Sequence, residues 1–392
     1  MADQASGVDQ RGRQKKNNAG KIHRVITTPF RELRKFIFSV PVLKRCYFDL
    51  YPSYRSRFLK IKTNLNLLRP EAVQWLTTYR CNFHCTHCEA SAGTTTVREL
   101  TTDEAFRLID ELEEAGVRNI VLSGGEPLVR KDIFLIIEHI LRRGLTYSIA
   151  SNSSLVAGFH EEFRRMKPVL YFTSIDGLEQ TNDAIRGVHG AFQKTIDAVK
   201  FFQSVGVNYR TINTVVLPKN IHELPALKKV VQHSGATLWR LAIPIPVGRA
   251  KGNPDMSLDA GQMDYLFGFI RSAGKEMNIE LTEDAGYLGG YGPELRSYPF
   301  FCEAGFTQCA VMPDGEVLGC HSAYDSSFSE GNIRTRPFKE IWQNGFLRFR
   351  RPHVEPACRS CRHREACRGG CWGMRLGKKH CLKEIWEAWK PD

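Results

Sequence analysis

Apolar residues recur through the middle of the chain with two alternating periods. Spacings of three and four predict helices near Thr102–Glu114, Asp132–Arg143, Ala191–Val205 and Glu223–His233. Between them lie short runs rich in β-branched and aromatic residues, near Ala72–Leu76, Asn119–Ser123, Thr146–Ser151, Val169–Ile175, Asn208–Val215 and Leu238–Ile243. These predict strands. Strands alternating with helices imply right-handed βαβ units and a parallel sheet, hence an α/β class. The alternation stops near residue 250. The stretch from Arg249 to Pro299 is rich in Gly, Asp and Tyr and reads as a linker over 251–299, with one helix near Gln262–Lys275.

Charge divides the chain further. The net charge is +13, yet residues 1–70 alone hold sixteen Lys and Arg against four Asp and Glu. The basic character therefore belongs to an N-terminal arm. Residues 1–20 are polar and lack the apolar run of a secretory signal, which predicts a disordered tail on a cytoplasmic protein. Residues 21–71 mix cations with apolar groups, and Phe30, Leu33 and Ile37 share one helical face. Such a basic helical arm suits a membrane surface, an acidic peptide, or packing against the rest of the protein with a solvated outer face. No apolar run reaches the length of a spanning helix. No nucleic-acid-binding module is recognisable, and nucleic acid is not an expected partner. At 392 residues the chain can bury two cores besides the arm.

Cysteine placement supplies the chemistry. Cys81, Cys85 and Cys88 form a CxxxCxxC loop directly after the first strand run. Three thiolates on so short a loop can converge on a soft metal centre. A [4Fe–4S] cluster usually takes four cysteines, so a loop supplying three leaves one iron open to a ligand. A structural zinc site is the competing reading, and His84 and His87 tempt it. Some forty residues later a strand run ends in Gly124-Gly125-Glu126-Pro127, where glycines let the backbone approach a ligand closely. Two further strand runs end in polar residues, at Ser151 and Asn152 and at Ser174 and Asp176. Ser151 and Asn152 also suit a helix cap. Cys46 stands alone and is expected to be a buried hydrophobe.

Eight of the twelve cysteines lie between Cys302 and Cys381. An even count invites disulfides, but a reducing compartment favours metal ligation. Ahead of the densest group, Asp314-Gly315 is a good two-residue hairpin turn.

These motifs together resemble the radical S-adenosylmethionine (SAM) enzymes. The spacing Cys358-x2-Cys361-x5-Cys367-x3-Cys371 resembles their SPASM extension. The resemblance implies an open (β/α)6 partial TIM barrel over residues 72–250, with its site at the carboxyl ends of the strands, and a cysteine-rich SPASM domain over 300–392. It implies three [4Fe–4S] clusters. One, on Cys81, Cys85 and Cys88, binds AdoMet, and two are auxiliary. Cys302, Cys309, Cys320 and Cys371 are the implied ligands of the first auxiliary cluster, and Cys358, Cys361, Cys367 and Cys381 of the second. Gly124, Gly125, Glu126, Pro127, Ser151, Asn152, Ser174 and Arg186 are the implied AdoMet contacts.

The activity so implied is an oxidoreductase that makes a 5′-deoxyadenosyl radical and crosslinks or dehydrogenates a peptide or protein. An external one-electron donor of flavodoxin or ferredoxin type is then required. A small molecule, a tetrapyrrole or a lipid-like compound is the alternative substrate, and a non-catalytic iron–sulfur scaffold is the alternative to an enzyme. His321 follows Cys320 where sulfatase-maturing relatives carry an aspartate base. An imidazole can move a proton near neutral pH, so His321 is either that base or a hydrogen-bonding neighbour of a cluster.

Overall fold

Ten strands form one sheet in the computed structural model, in the order β10-β9-β8-β1-β2-β3-β4-β5-β6-β7. The structure describes residues 37–376 and 381, except 94–95, 323–324, 352–355 and 362. The predicted tail over 1–20 and the arm residues Phe30 and Leu33 lie outside the described residues.

The parallel run comprises β1 (Ala72–Leu76), β2 (Asn119–Ser123), β3 (Thr146–Ala150), β4 (Leu170–Ser174), β5 (Tyr209–Val215), β6 (Leu238–Ala242) and β7 (Ile279–Leu281). Along each strand one face is apolar and meets helices. Val73, Trp75, Ile120, Leu122, Ile149, Tyr171, Ile212, Trp239 and Leu241 are buried against Leu108, Ile136, Ile140, Phe163, Phe202, Leu227 and Phe267. Truncating one such aliphatic side chain to Ala would cost about 2–5 kcal/mol. The opposite face points into the barrel and carries Gln74, Ser123, Phe172, Asn213 and Arg240. Strand alternation thus separates a packing face from a chemical face.

The stretch expected as a linker holds more order than its composition suggests. It forms the helix Ala260–Ala273 and then β7, which continues the parallel run beside β6. The cap of that helix is reciprocal: Asp259 Oδ1 accepts from Gln262 N at 2.8 Å, and Asp259 N donates to Gln262 Oε1 at 3.0 Å.

The C-terminal part joins the same sheet. β8 (Gln308–Val311) lies parallel to β1, pairing Cys309 with Val73. β9 (Glu316–Leu318) returns antiparallel after the Asp314-Gly315 turn, where Gly315 has φ +88°. β10 (Ser329–Asn332) completes the edge. The helix Thr102–Glu114 ties this part to the barrel. Its capping-box residue Glu104 accepts from Arg334 Nε at 2.7 Å and Nη2 at 3.0 Å, and Glu111 accepts from Phe338 N at 2.6 Å.

The helix Pro41–Asn64 clasps the C-terminal part. Leu59 packs with Phe301 and Phe306, Arg55 pairs with Glu303 at 2.9 Å, and Arg368 donates to Ser56 Oγ at 2.9 Å. Cys46 on this helix is exposed, not buried, because its position faces away from that contact.

Candidate functional site

The Cys81–Cys88 loop leaves β1 at the carboxyl end of the barrel and is held from three directions. Gly125 N donates to Thr78 O at 2.8 Å, and Glu126 N donates to Arg80 O at 2.9 Å. His84 N donates to Arg186 O at 3.2 Å. Arg249 donates through Nε to Cys85 O at 2.7 Å and through Nη1 to Ala92 O at 2.8 Å. The glycine pair is required by proximity. A Cβ on Gly125 would lie 2.2 Å from Arg80 O and 3.0 Å from Cys81 Cβ, and one on Gly124 would lie 2.5 Å from Thr78 O. Glycine here lets two loops touch backbone to backbone.

A cavity of about 400 Å³ opens above this junction. Cys81, Cys85 and Cys88 line it, together with Gly124, Gly125, Ser151, Asn152, Ser174 and Arg186. His321 reaches it from the C-terminal part. Glu126 and Pro127 stand behind the wall. The Glu126 carboxylate is fully buried and accepts from Asn152 N at 2.6 Å, Ser151 Oγ at 2.9 Å and Leu128 N at 3.1 Å. Burial pushes its pKa up to about 7. Its observed contacts brace the loop that presents Ser151 and Asn152.

Two residues that sequence reasoning did not select dominate the electrostatics. Asp176, fully buried, lies 2.6 Å from Arg186 Nη2 and 2.8 Å from His87 Nε2. Burial alone would raise its pKa, but Arg186 and His87 outweigh that and hold it at about 2. Arg186 Nη1 in turn lies 3.8 Å from Cys85 Sγ. The second residue, Arg249, clamps the loop as described. Asp176 stands at the polar end of a strand run legible in the sequence, whereas nothing local marks Arg249.

The lining fits a polar ligand beside soft metal. Burial pushes the Cys81 thiol up to about 11 and raises Cys85 as well, with Arg186 pulling Cys85 back down. Buried thiols of this kind are held best as metal-bound thiolates. In residues that line the same cavity, Arg186 Nε and Asn213 Oδ1 are buried without a hydrogen-bond partner. Unsatisfied polar atoms in the wall of one cavity suit a polar guest. Among the described residues, no three His, Cys, Asp or Glu side chains close on one point as a single ion would need. The three thiols line the cavity.

The remaining cysteines fall into two neighbourhoods. Cys302, Cys320 and Cys371 lie within electrostatic reach of one another. Cys367 lies within reach of Cys358 and Cys381. Burial pushes Cys320 up to about 12 and Cys367 up to about 11. Cys361 is exposed. Cys309 is buried on β8 in the main hydrophobic core, against which Cys302 and Cys320 also pack, and Arg350 is its charged neighbour. Next to the first neighbourhood, Glu89, Asp284 and His321 line the floor of the cavity. Burial lowers the pKa of His321, and it raises those of Glu89 and Asp284.

Residues 75–231 match the model of the radical SAM superfamily, and residues 302–362 match an iron–sulfur cluster-binding domain, SPASM. Mycofactocin maturase MftC of Mycolicibacterium smegmatis is 32% identical over 317 residues, covering 78% of this chain and 79% of that one. The chain belongs to the radical SAM superfamily. AdoMet-dependent heme synthase of Methanosarcina barkeri is 30% identical over 327 residues, covering 76% of this chain and 90% of that one. Streptococcus suis SuiB, solved with its precursor peptide SuiA, shares the fold at a TM-score of 0.65 and 19% identity, covering 86% of this chain and 78% of that one. This radical SAM chain is therefore an iron–sulfur enzyme, and its family uses a [4Fe–4S] cluster, AdoMet and auxiliary clusters.

Proposed function

We propose that the enzyme oxidatively modifies a peptide or protein side chain by radical AdoMet chemistry. One observation carries the reading: three thiols, a Gly-Gly backbone and the buried Arg186 share a cavity that His321 reaches from the C-terminal part. Cys81, Cys85 and Cys88 would hold the first [4Fe–4S] cluster, which would supply the one-electron reduction that generates a 5′-deoxyadenosyl radical from AdoMet. Gly124, Gly125, Ser151, Asn152 and Ser174 line the place of AdoMet, and Glu126 fixes the end of β3 behind Ser151 and Asn152. Asp176 aims Arg186 at Cys85 and holds His87 of the loop itself. Cys302, Cys320 and Cys371 hold the inner auxiliary cluster, and Cys358, Cys361, Cys367 and Cys381 the outer one. His321, kept neutral by burial beside Asp284, accepts a proton from substrate as it is oxidised. A flavodoxin- or ferredoxin-type protein supplies the electron.

A long substrate has room. A second cavity of about 1170 Å³ opens at the amino ends of β4 to β7 and shares Phe172, Arg240 and Glu283 with the first. A maturase among the relatives favours a peptide there. The second reading, a tetrapyrrole, rests on the heme synthase relative and on Lys44, Arg271 and Lys275 at this mouth, which suit carboxylate side chains.

The test is anaerobic reconstitution with iron and sulfide, followed by dithionite and AdoMet. Release of 5′-deoxyadenosine is expected, and none from Cys85→Ala. A mass loss in a candidate precursor peptide supports the first reading. Decarboxylation of an iron coproporphyrin, with peptides untouched, supports the second. No 5′-deoxyadenosine from well-loaded protein would defeat both.

A further inference from the structure

The helix Pro41–Asn64 has two apolar faces, and the described residues cover one. Phe48, Pro52 and Leu59 are buried against the C-terminal domain and its neighbours. Leu43, Leu50, Tyr54, Phe58 and Ile61, continued by Leu65 at the cap, are all exposed. At 3.6 residues per turn those six fall within an arc of about 80°, opposite the buried face. Leu50 is 68% exposed, Tyr54 66%, Ile61 58% and Leu65 61%. A straight run of large apolar groups over the length of a helix marks an interaction surface.

Charge identifies what it meets. The helix carries six Lys and Arg against the single Asp49. Arg57 and Lys60 flank the stripe on one side and Lys62 on the other, with Lys62 Nζ 5.0 Å from the Phe58 ring. Two copies pairing stripe to stripe would bring the flanking Arg57, Lys60 and Lys62 of each helix against their like-charged counterparts. An anionic bilayer is opposite in both respects: it accepts the apolar groups below its headgroups and the cations among them. Among the described residues no helix is long and apolar enough to cross a membrane.

We infer that this face docks the enzyme onto an anionic lipid surface, with the helix lying in the plane of the headgroups. The same helix begins near Lys44, which lines the mouth of the larger cavity. Docking therefore sets that mouth close to the bilayer.

Full-length protein is sedimented with vesicles of phosphatidylcholine alone and with vesicles containing phosphatidylglycerol. Binding to the second kind only, weakened by salt, is expected. The double variant Arg57→Ser with Lys60→Ser lowers the binding constant about 25-fold, since each cation near such a surface contributes about 1 kcal/mol. The triple variant Leu50→Ser, Tyr54→Ser, Ile61→Ser abolishes binding while AdoMet cleavage stays unchanged, which shows that it folds. Three results overturn the inference: no sedimentation with anionic vesicles, equal sedimentation with both kinds, or a dimer in light scattering that the triple variant dissolves.

Discussion

Asp176 holds Arg186 at 2.6 Å, and through it reaches the Cys85 thiol 3.8 Å further on. The carboxylate is fully buried, so its charge is stable only because Arg186 and His87 face it. Asp176→Asn leaves a buried guanidinium without its anion and is expected to cost about 3–5 kcal/mol. The pH dependence follows from the sign of the shift. The folded pKa of about 2 lies below the usual carboxylate value. The contribution is therefore complete above about pH 4 and fades as the pH falls toward 2. Denaturant unfolding of both proteins across that window checks it; equal acid sensitivity would refute the assignment.

Gly125→Ala is expected to damage AdoMet binding more than folding. The new Cβ would meet the Arg80 carbonyl, and the Cys81 loop would have to retreat from the turn. Backbone cannot swing aside as a side-chain tip can, and strain of about 1–3 kcal/mol results. Equilibrium dialysis of AdoMet against reconstituted protein should show a loss of about tenfold or more. An affinity equal to that of the parent would mean that the turn and the loop move independently.

Cys309→Ala separates a core residue from a ligand. Its side chain packs on β8 in the main core, and its charged neighbour is Arg350. The variant is expected to keep its full iron complement and to lose about 1 kcal/mol of stability. Cys320→Ala is expected to lose about four irons, one cluster's worth. Iron and sulfide analysis on anaerobic protein decides between them.

Arg334→Ala tests the junction between barrel and C-terminal domain. Its two bonds to Glu104 hold that carboxyl at about 2 and anchor the β10 end of the sheet to the helix Thr102–Glu114. Loss of about 1.5–3 kcal/mol is expected, a charge-assisted bidentate contact removed from a half-buried site. Hydrogen exchange should quicken over residues 98–104 and 314–336, with Cys81-loop protection retained. Uniform quickening would point to general destabilisation instead.

The sequence made most of the barrel legible because its strands and helices repeat their periods over five residues or more. Ala72–Leu76, Asn119–Ser123 and Thr102–Glu114 match their predicted bounds, and most others differ by one residue at one or both ends. β7 escaped because three residues, Ile279–Leu281, are too few to show a period, and its Glu280 is buried. The pairing of β8 with β1 joins residues more than two hundred positions apart, which no local pattern carries. The thiols and the glycine turn were readable because their chemistry is local. Asp176 was visible as a motif but not as a charge hub, since His87 and Arg186 come to it only through the fold. Arg249 was invisible for the same reason.

β1 is hydrogen-bonded to β2 on one flank and to β8 on the other. Cutting the chain before Gln308 would strip one flank of the strand that launches the cluster loop. The bared peptide groups would then seek another chain to pair with, so the isolated barrel should aggregate. The two family modules are consequently one indivisible folding unit, in which the auxiliary half seals the seam beside the radical-forming half.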